Sequence, residues 1–139
     1  MTAVDTNVIV ALWDRDTRIS SSAEHALDAA LSRGAIVIAP PVFAELTAAP
    51  GRTEKFVDAF LRDTGLTVDW ALDEAIWRAA GRAYRSYATR RRSQRDAGPR
   101  RILADFLIVA HASMRGYHLL TLDEGFYRTG FPELVIDRV

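Results

Sequence analysis

No cysteine occurs among the 139 residues. That excludes a disulfide scaffold, a thiolate zinc site, an iron–sulfur cluster and a cysteine nucleophile. It also agrees with a reducing cytoplasm. Lysine is almost missing: Lys55 stands alone, and every other basic residue is arginine. No glycine-rich phosphate loop and no dinucleotide fingerprint is present. No apolar run approaches the roughly 20 residues that cross a bilayer. Residues Met1 to Asn7 carry no basic stretch ahead of an apolar one, so no secretory signal is expected. The expected setting is the cytoplasm, without a membrane partner.

What is there reads as one globular domain over residues 1–139. Hydrophobic residues make up 49% and charged residues 26%, enough for a core and too apolar for a disordered chain. Eighteen basic and eighteen acidic residues cancel. The cancellation hides an asymmetry: Arg78 to Arg101 holds nine arginines and a single acid, Asp96. Arginine is the residue suited to bidentate phosphate contact.

Strand and helix patterns alternate along the chain. Met1–Asp5 reads as a strand, followed by a helix from Val8 to Trp13 that Thr6 or Asn7 can cap. Ser20-Ser21-Ser22 precede a helix whose apolar face is Ala23, Ala26, Leu27, Ala30 and Leu31, closed by Gly34. Ala35–Ala39 is a buried-strand pattern. Pro40-Pro41 suit a loop or first turn before a helix over Val42–Ala49. Thr53–Arg62 predicts a helix with Phe56, Ala59 and Phe60 inward, ended by Gly65, and Leu66–Val68 a third strand. Asp73–Arg92 predicts a long helix with an inner stripe of Ile76, Ala79, Ala80, Ala83, Tyr84 and Tyr87. Arg90–Pro99 becomes loop-like at its end. Ile102–Met114 is a nearly all-apolar helix closed by Gly116. Tyr117–Thr121 and Leu134–Ile136 complete five strands. The expected fold class is α/β, a mostly parallel five-stranded sheet flanked by helices on both faces.

Four acids sit in apolar surroundings: Asp5, Glu45, Asp105 and Asp123. A carboxylate in a packed core must be protonated, paired or bound to a cation. Asp5 and Asp123 fall at or just past strand ends, and Glu45 lies on the helix after a strand. Open α/β sheets bind ligands outside the carboxyl ends of their strands, at a switch in strand order. At least three of the acids can therefore reach one crevice, joined by Asp105 if its helix starts there. Two ionised carboxylates about 5 Å apart repel by roughly 3 kcal/mol at an effective dielectric near 20. A hard divalent cation reverses that sign, and Mg²⁺ and Mn²⁺ favour oxygen ligands. Such a site can deprotonate a water and stabilise phosphate oxygens during in-line displacement. Asp69 reads as a turn or cap, and Asp137 as a sheet-edge residue.

Four blocks carry a resemblance over essentially the whole chain. They are Val4-Asp5-Thr6-Asn7-Val8-Ile9-Val10, Pro41-Val42-Phe43-Ala44-Glu45-Leu46, Arg101 through Ala112, and Leu119 through Tyr127. In this order and spacing the sequence resembles PIN-domain ribonucleases, specifically VapC-type toxins of type II toxin–antitoxin modules. The resemblance implies a single PIN-like domain and a metal-dependent endoribonuclease, in which a carboxylate-held ion activates water against RNA phosphodiester bonds. By position, Asp5, Glu45, Asp105 and Asp123 match the family's catalytic quartet, with Asp5, Asp105 and Asp123 as metal ligands for Mg²⁺ or Mn²⁺. Thr6, Asn7 and Thr121 match supporting positions, and Thr6 is expected to orient Asp5 by a hydrogen bond. Glu124, beside Asp123, competes for the fourth place. A cognate VapB-type antitoxin, a homodimer, and operator DNA reached only through the antitoxin are likewise implied.

Arg90, Arg91, Arg92, Arg95, Arg100 and Arg101 flank the start of the Asp105 helix and are the candidates for holding RNA phosphates. Arg78, Arg82 and Arg85 fit a solvated helix face. His25, His111 and His118 are not expected to be ligands, and His111 is a packed or capping residue. Trp13, Trp70 and Trp77 read as core or interface residues. Competing readings are a non-toxin PIN nuclease of RNA processing and a catalytically silent RNA-binding module. A receiver or haloacid-dehalogenase-like domain also places Asp after its first strand. It needs a lysine near the phosphoryl group, and Lys55 lies mid-helix, far from any strand end.

Overall fold

A computed structural model describes residues 1–14, 16–94, 100–123, 125, 127 and 130–139. Five strands form one sheet in the order β3-β2-β1-β4-β5. They are β1 (Thr2–Val4), β2 (Ile36–Ile38), β3 (Thr67–Val68), β4 (His118–Thr121) and β5 (Ile136–Arg138). Every pairing is parallel. The six helices with described bounds are α1 (Thr6–Trp13), α2 (Thr17–Arg33), α3 (Pro40–Thr47), α4 (Glu54–Thr64), α5 (Glu74–Gln94) and α6 (Leu103–Arg115).

The strand order explains where a site can form. The chain steps from β1 to β2 to β3 in one direction, then crosses through α5 and α6 to β4, on the other flank of β1. Right-handed crossovers in opposite directions cover opposite faces of the sheet. The step reverses at β1, so a crevice opens at the carboxyl ends of β1 and β4. Val4 is in register with Leu120, and the Asp5 amide donates to the Leu120 carbonyl at 3.0 Å. The two chain segments that leave those strands therefore start side by side.

Helix α6 lies between two apolar clusters, which explains its nearly unbroken hydrophobic run. Ile108, Val109 and Ala112 join the main core with the strands and the helices α1 to α4. Phe106, Leu107 and Ala110 pack against Ile76, Ala79 and Ala80 of α5. All residues from Phe106 to Ala112 are buried. Each large aliphatic or aromatic side chain so placed contributes about 1.5–3 kcal/mol. Gly65 and Gly116 end α4 and α6 with φ of 77° and 70°, a left-handed conformation that favours glycine.

Several boundaries differ from the sequence expectation. The N-cap residue of α1 is Asp5, not Thr6 or Asn7, and its carboxylate makes no capping bond. Helix α2 starts before the serines: Asp16 caps it, accepting from the Arg18 and Ile19 amides. In α4 the buried residues are Val57 and Leu61, while Phe56 is exposed and meets Trp13 edge-on. Helix α5 continues through Gln94, two residues past its expected end at Arg92. Strand β5 starts at Ile136 rather than Leu134, because Leu134 is buried in the core and Asp137 sits on the sheet edge, where Arg33 reaches it at 2.7 Å. Trp70 and Trp77 are exposed, so neither is core. Among the described residues no helix is long and apolar enough to cross a membrane.

Candidate active site

Asp5, immediately after β1, is buried to 4% exposure. It is held from the next strand: the Thr121 hydroxyl donates to Asp5 Oδ2 at 2.8 Å, and the Tyr127 hydroxyl donates to the same oxygen at 2.9 Å. Thr121 can donate its proton in only one direction, because its oxygen already accepts from Asn7 Nδ2 at 3.3 Å and from the Asp123 amide at 3.1 Å. Asn7 closes the loop by accepting from the Leu122 amide at 3.2 Å. Burial pushes the Asp5 carboxyl above its ordinary range, the hydroxyls of Thr121 and Tyr127 oppose this, and the charge of Asp105 adds to it.

Glu45 comes from α3, the helix that leaves β2. Its Oε1 accepts from the Thr6 hydroxyl at 2.7 Å. The hydroxyl of Thr6 thus orients Glu45 rather than Asp5, correcting the sequence expectation. Toward Asp5 it is the Thr6 backbone N–H that acts, favouring the charged form. Burial raises the Glu45 carboxyl, Thr6 opposes it, and the charges of Asp105 and Asp5 raise it further.

Asp105 is the third residue of α6 and accepts from the Ile102 amide at 2.9 Å. An acid here satisfies one orphan donor and complements the helix dipole. Asp123 follows β4 and pairs with the guanidinium of Arg101, just before α6. Asp5, Thr6, Asn7, Glu45, Arg101, Asp105, Asp123 and Tyr127 all line one open hollow of about 270 Å³. Thr121 stands behind it as the buried link between strand and carboxylate.

The structure therefore brings all four expected acids to one place, two of them, Asp5 and Asp105, at helix N-termini. One participant was missed. Tyr127 falls within the last motif, but nothing in its local sequence marks its hydroxyl as an Asp5 partner. Its hydroxyl proton is held strongly, by burial first and then by the negative charges of Asp5, Asp105 and Asp123. Arg101, named from the sequence as a phosphate contact, lines the hollow too, and its pairing with Asp123 is what the sequence did not show. The remaining arginines divide: Arg91, Arg92 and Arg100 share a neighbouring hollow with Arg101, whereas Arg90 lines a different one beside Arg82 and Met114. Arg95 and Glu124 lie outside the described residues. His111 is wholly buried on Asp69, and His118 meets Asp137, so neither faces the acids.

Residues 2–132 match the family model of the PIN domain. The chain belongs to the PIN-domain family. PIN domains are nucleases, and PIN nucleases generally use a divalent metal. The PIN domain described here superposes on a chain of the VapBC2 complex from Rickettsia felis, bound to a promoter DNA fragment. That match has a TM-score of 0.68 at 18% identity, covering 99% of this chain and 97% of the other. A chain of VapBC-1 from nontypeable Haemophilus influenzae matches with a TM-score of 0.64 at 15% identity, covering 99% and 96%. DNA-bound VapBC from Salmonella typhimurium gives 0.61 at 19% identity, covering 99% and 96%. No curated protein matches the chain in sequence.

The donor set suits a hard divalent cation: oxygen only, with acids whose charges burden one another. Among the described residues no three acidic or imidazole side chains stand close enough to enclose an ion as they are oriented. Arg101 supplies the compensating charge at Asp123.

Proposed function

We propose that this PIN domain is the toxin of a type II toxin–antitoxin pair and acts as a divalent-metal-dependent endoribonuclease. The observation that carries the reading is the convergence of Asp5, Glu45, Asp105 and Asp123 on one hollow at the switch in strand order. Similarity to chains of VapBC complexes supports an antitoxin partner of the VapB kind. That two of those complexes were crystallised on DNA fits operator binding through the antitoxin. A homodimer, a cytoplasmic setting and the choice of Mg²⁺ or Mn²⁺ belong to the same proposal.

In this mechanism Asp5, Asp105 and Asp123 would hold the ion. When bound, the ion supplies Lewis acidity at the scissile phosphate and acidifies the attacking water. Thr121 and Tyr127 keep Asp5 in one orientation and favour its ionised form. Asn7 keeps Thr121 pointed at Asp5. Glu45, held by Thr6, would accept the proton of the water. Its raised carboxyl pKa makes it a better base than an exposed glutamate. No side-chain nucleophile is required.

The test is cleavage of labelled RNA in Mn²⁺, with and without EDTA, by the native protein and by Asp5→Asn. Asparagine keeps size and an acceptor but removes the charge that holds the ion. Cleavage should need the ion and disappear in the variant while its circular dichroism is unchanged. Full activity in Asp5→Asn defeats the mechanism.

A further inference from the structure

A second opening, of about 230 Å³, lies where the end of α5 faces Arg100 and Arg101. Its walls include Tyr84, Tyr87, Arg91, Arg92, Arg100 and Arg101, and among the described residues no acid lines it. The arrangement is built rather than incidental. The Tyr87 oxygen accepts from Arg91 Nη1 at 3.0 Å and from the Arg101 amide at 2.9 Å. One phenol thus ties the helix to the segment that feeds Arg101 into the carboxylate hollow. Tyr84 and Tyr87 both rest on the buried ring of Phe106, with centroids 4.8 and 5.5 Å away. Tyr84 remains 39% exposed despite that support.

We propose that this opening seats the nucleotide next to the scissile phosphate of a single-stranded RNA. Arg92 and Arg100 take its phosphate, and the Tyr84 ring takes its base. The inference rests on reading the carboxylate hollow as the place of RNA cleavage. Arg101 lines both openings, so a strand with its scissile phosphate among the acids runs directly into the second. Guanidinium groups match phosphate oxygens bidentately, and an aromatic face accepts any unstacked base. The volume falls just below the usual range for enclosed small-molecule sites, suiting one unit of a polymer rather than a duplex. An acidic protein segment would use the charges but leave the supported Tyr84 ring idle.

Binding is measured by fluorescence anisotropy with a labelled single-stranded RNA of mixed sequence, in EDTA so that nothing is cut. The double variant Arg92→Ala/Arg100→Ala is compared with Arg78→Ala/Arg85→Ala, which removes equal charge from the exposed face of the same helix. The hollow pair should weaken binding about tenfold or more and lower the salt slope by about 0.7, the single-strand value for one neutralised phosphate. The face pair should change affinity less than about twofold. Tyr84→Leu should weaken binding about fivefold or more with the salt slope unchanged, and Tyr84→Phe should restore it. Equal losses in the two double variants overturn the proposal, as does displacement of the RNA by oligoglutamate at matched charge. Cleavage by the native protein in Mn²⁺ is scored separately. Its failure counts against the nuclease reading, whereas equal losses in the two pairs count against the nucleotide seat.

Discussion

The guanidinium of Arg101 forms an ion pair with Asp123 inside the hollow that the other three acids share. Both side chains are more than two-thirds withdrawn from solvent, at 22% and 32% exposure. Arg101 therefore occupies, with a single positive charge, part of the position that a divalent ion would neutralise. An ion entering at Asp123 has to compete with it.

That competition has a measurable consequence. In Arg101→Gln the ion no longer displaces a partner from Asp123. An ion pair still partly open to solvent contributes about 0.5–1 kcal/mol, so Mn²⁺ should bind about two- to fivefold more tightly in the variant. Calorimetric titration of the two proteins checks it. RNA affinity should move the opposite way, because the same guanidinium lines the second hollow. Mn²⁺ affinity that is unchanged or lower would mean that Arg101 organises Asp123 for the ion instead of opposing it.

Asp5 and Glu45 predict how the metal-free protein responds to pH. Both carboxyls are raised in the fold, chiefly by burial. Such groups prefer the neutral form when folded. Their stabilising contribution is complete below the ordinary values of 3.8 and 4.5 and is lost as pH rises through the raised values. Asp5→Asn removes one of these burdens. In EDTA at pH 7.5 it should be more stable than the native protein by about 1 kcal/mol, a rise of roughly 3–4 °C in Tm. Added Mn²⁺ should raise the native Tm and leave that of the variant unmoved. A variant less stable in EDTA at that pH would show that the ionised carboxylate is already well compensated without metal.

Tyr127→Phe isolates the second hydroxyl on Asp5. The ring stays buried, but the donor to Asp5 Oδ2 is gone. Hydrogen bonds to a charged acceptor contribute about 1.5–3 kcal/mol, so urea denaturation at neutral pH should show a loss near the lower figure. The Asp5 carboxyl should rise further, and Mn²⁺ binding should need a higher pH to reach half-saturation. A native-like pH midpoint would assign the orientation of Asp5 to Thr121 alone.

The unequal legibility of these features has a physical basis. The central strands β1, β2 and β4 were readable because they are short, buried and bounded by helices with clear stops such as Gly116, whereas the polar edge strand β5 was misplaced by two residues. The acids were readable because a carboxylate in an apolar run is costly wherever the chain folds. Their pairing was not legible locally, and Thr121 entered as a supporting position only through the family resemblance. Thr121 meets Asp5 across 116 residues of sequence, and Tyr127 across 122. Only the reversal of strand order at β1 brings them together. The Thr6 hydroxyl reaches Glu45 rather than Asp5 because α3 leaves β2 beside the start of α1, a tertiary fact with no local signature. Arg101 illustrates the limit best. Its charge marked it for phosphate, but a local reading of charge does not reveal which acid will stand opposite it.

Outside the site, Asp69 and His111 form a second, part-buried polar contact that a sequence of apolar residues around His111 conceals. His111 is wholly buried in α6, and its Nε2 lies 2.9 Å from Asp69 Oδ2, just past β3. Burial works against the charge of Asp69. The hydrogen bond from His111, the Ala71 amide and the charges of His111 and Arg115 outweigh it and hold the carboxyl below 3.8. A lowered carboxyl contributes stability above its unfolded value and loses it as pH falls through the folded one. His111→Leu keeps the volume apolar and removes the largest of these supports. It should cost about 1–2 kcal/mol at pH 7, by leaving Asp69 short of a partner. As pH falls below about 3.8 the gap between native and variant should narrow, since protonated Asp69 no longer needs the imidazole. Denaturation series at several pH values would decide it, and a constant gap would place the contribution of His111 in packing against Tyr117, whose ring centroid is 5.7 Å away.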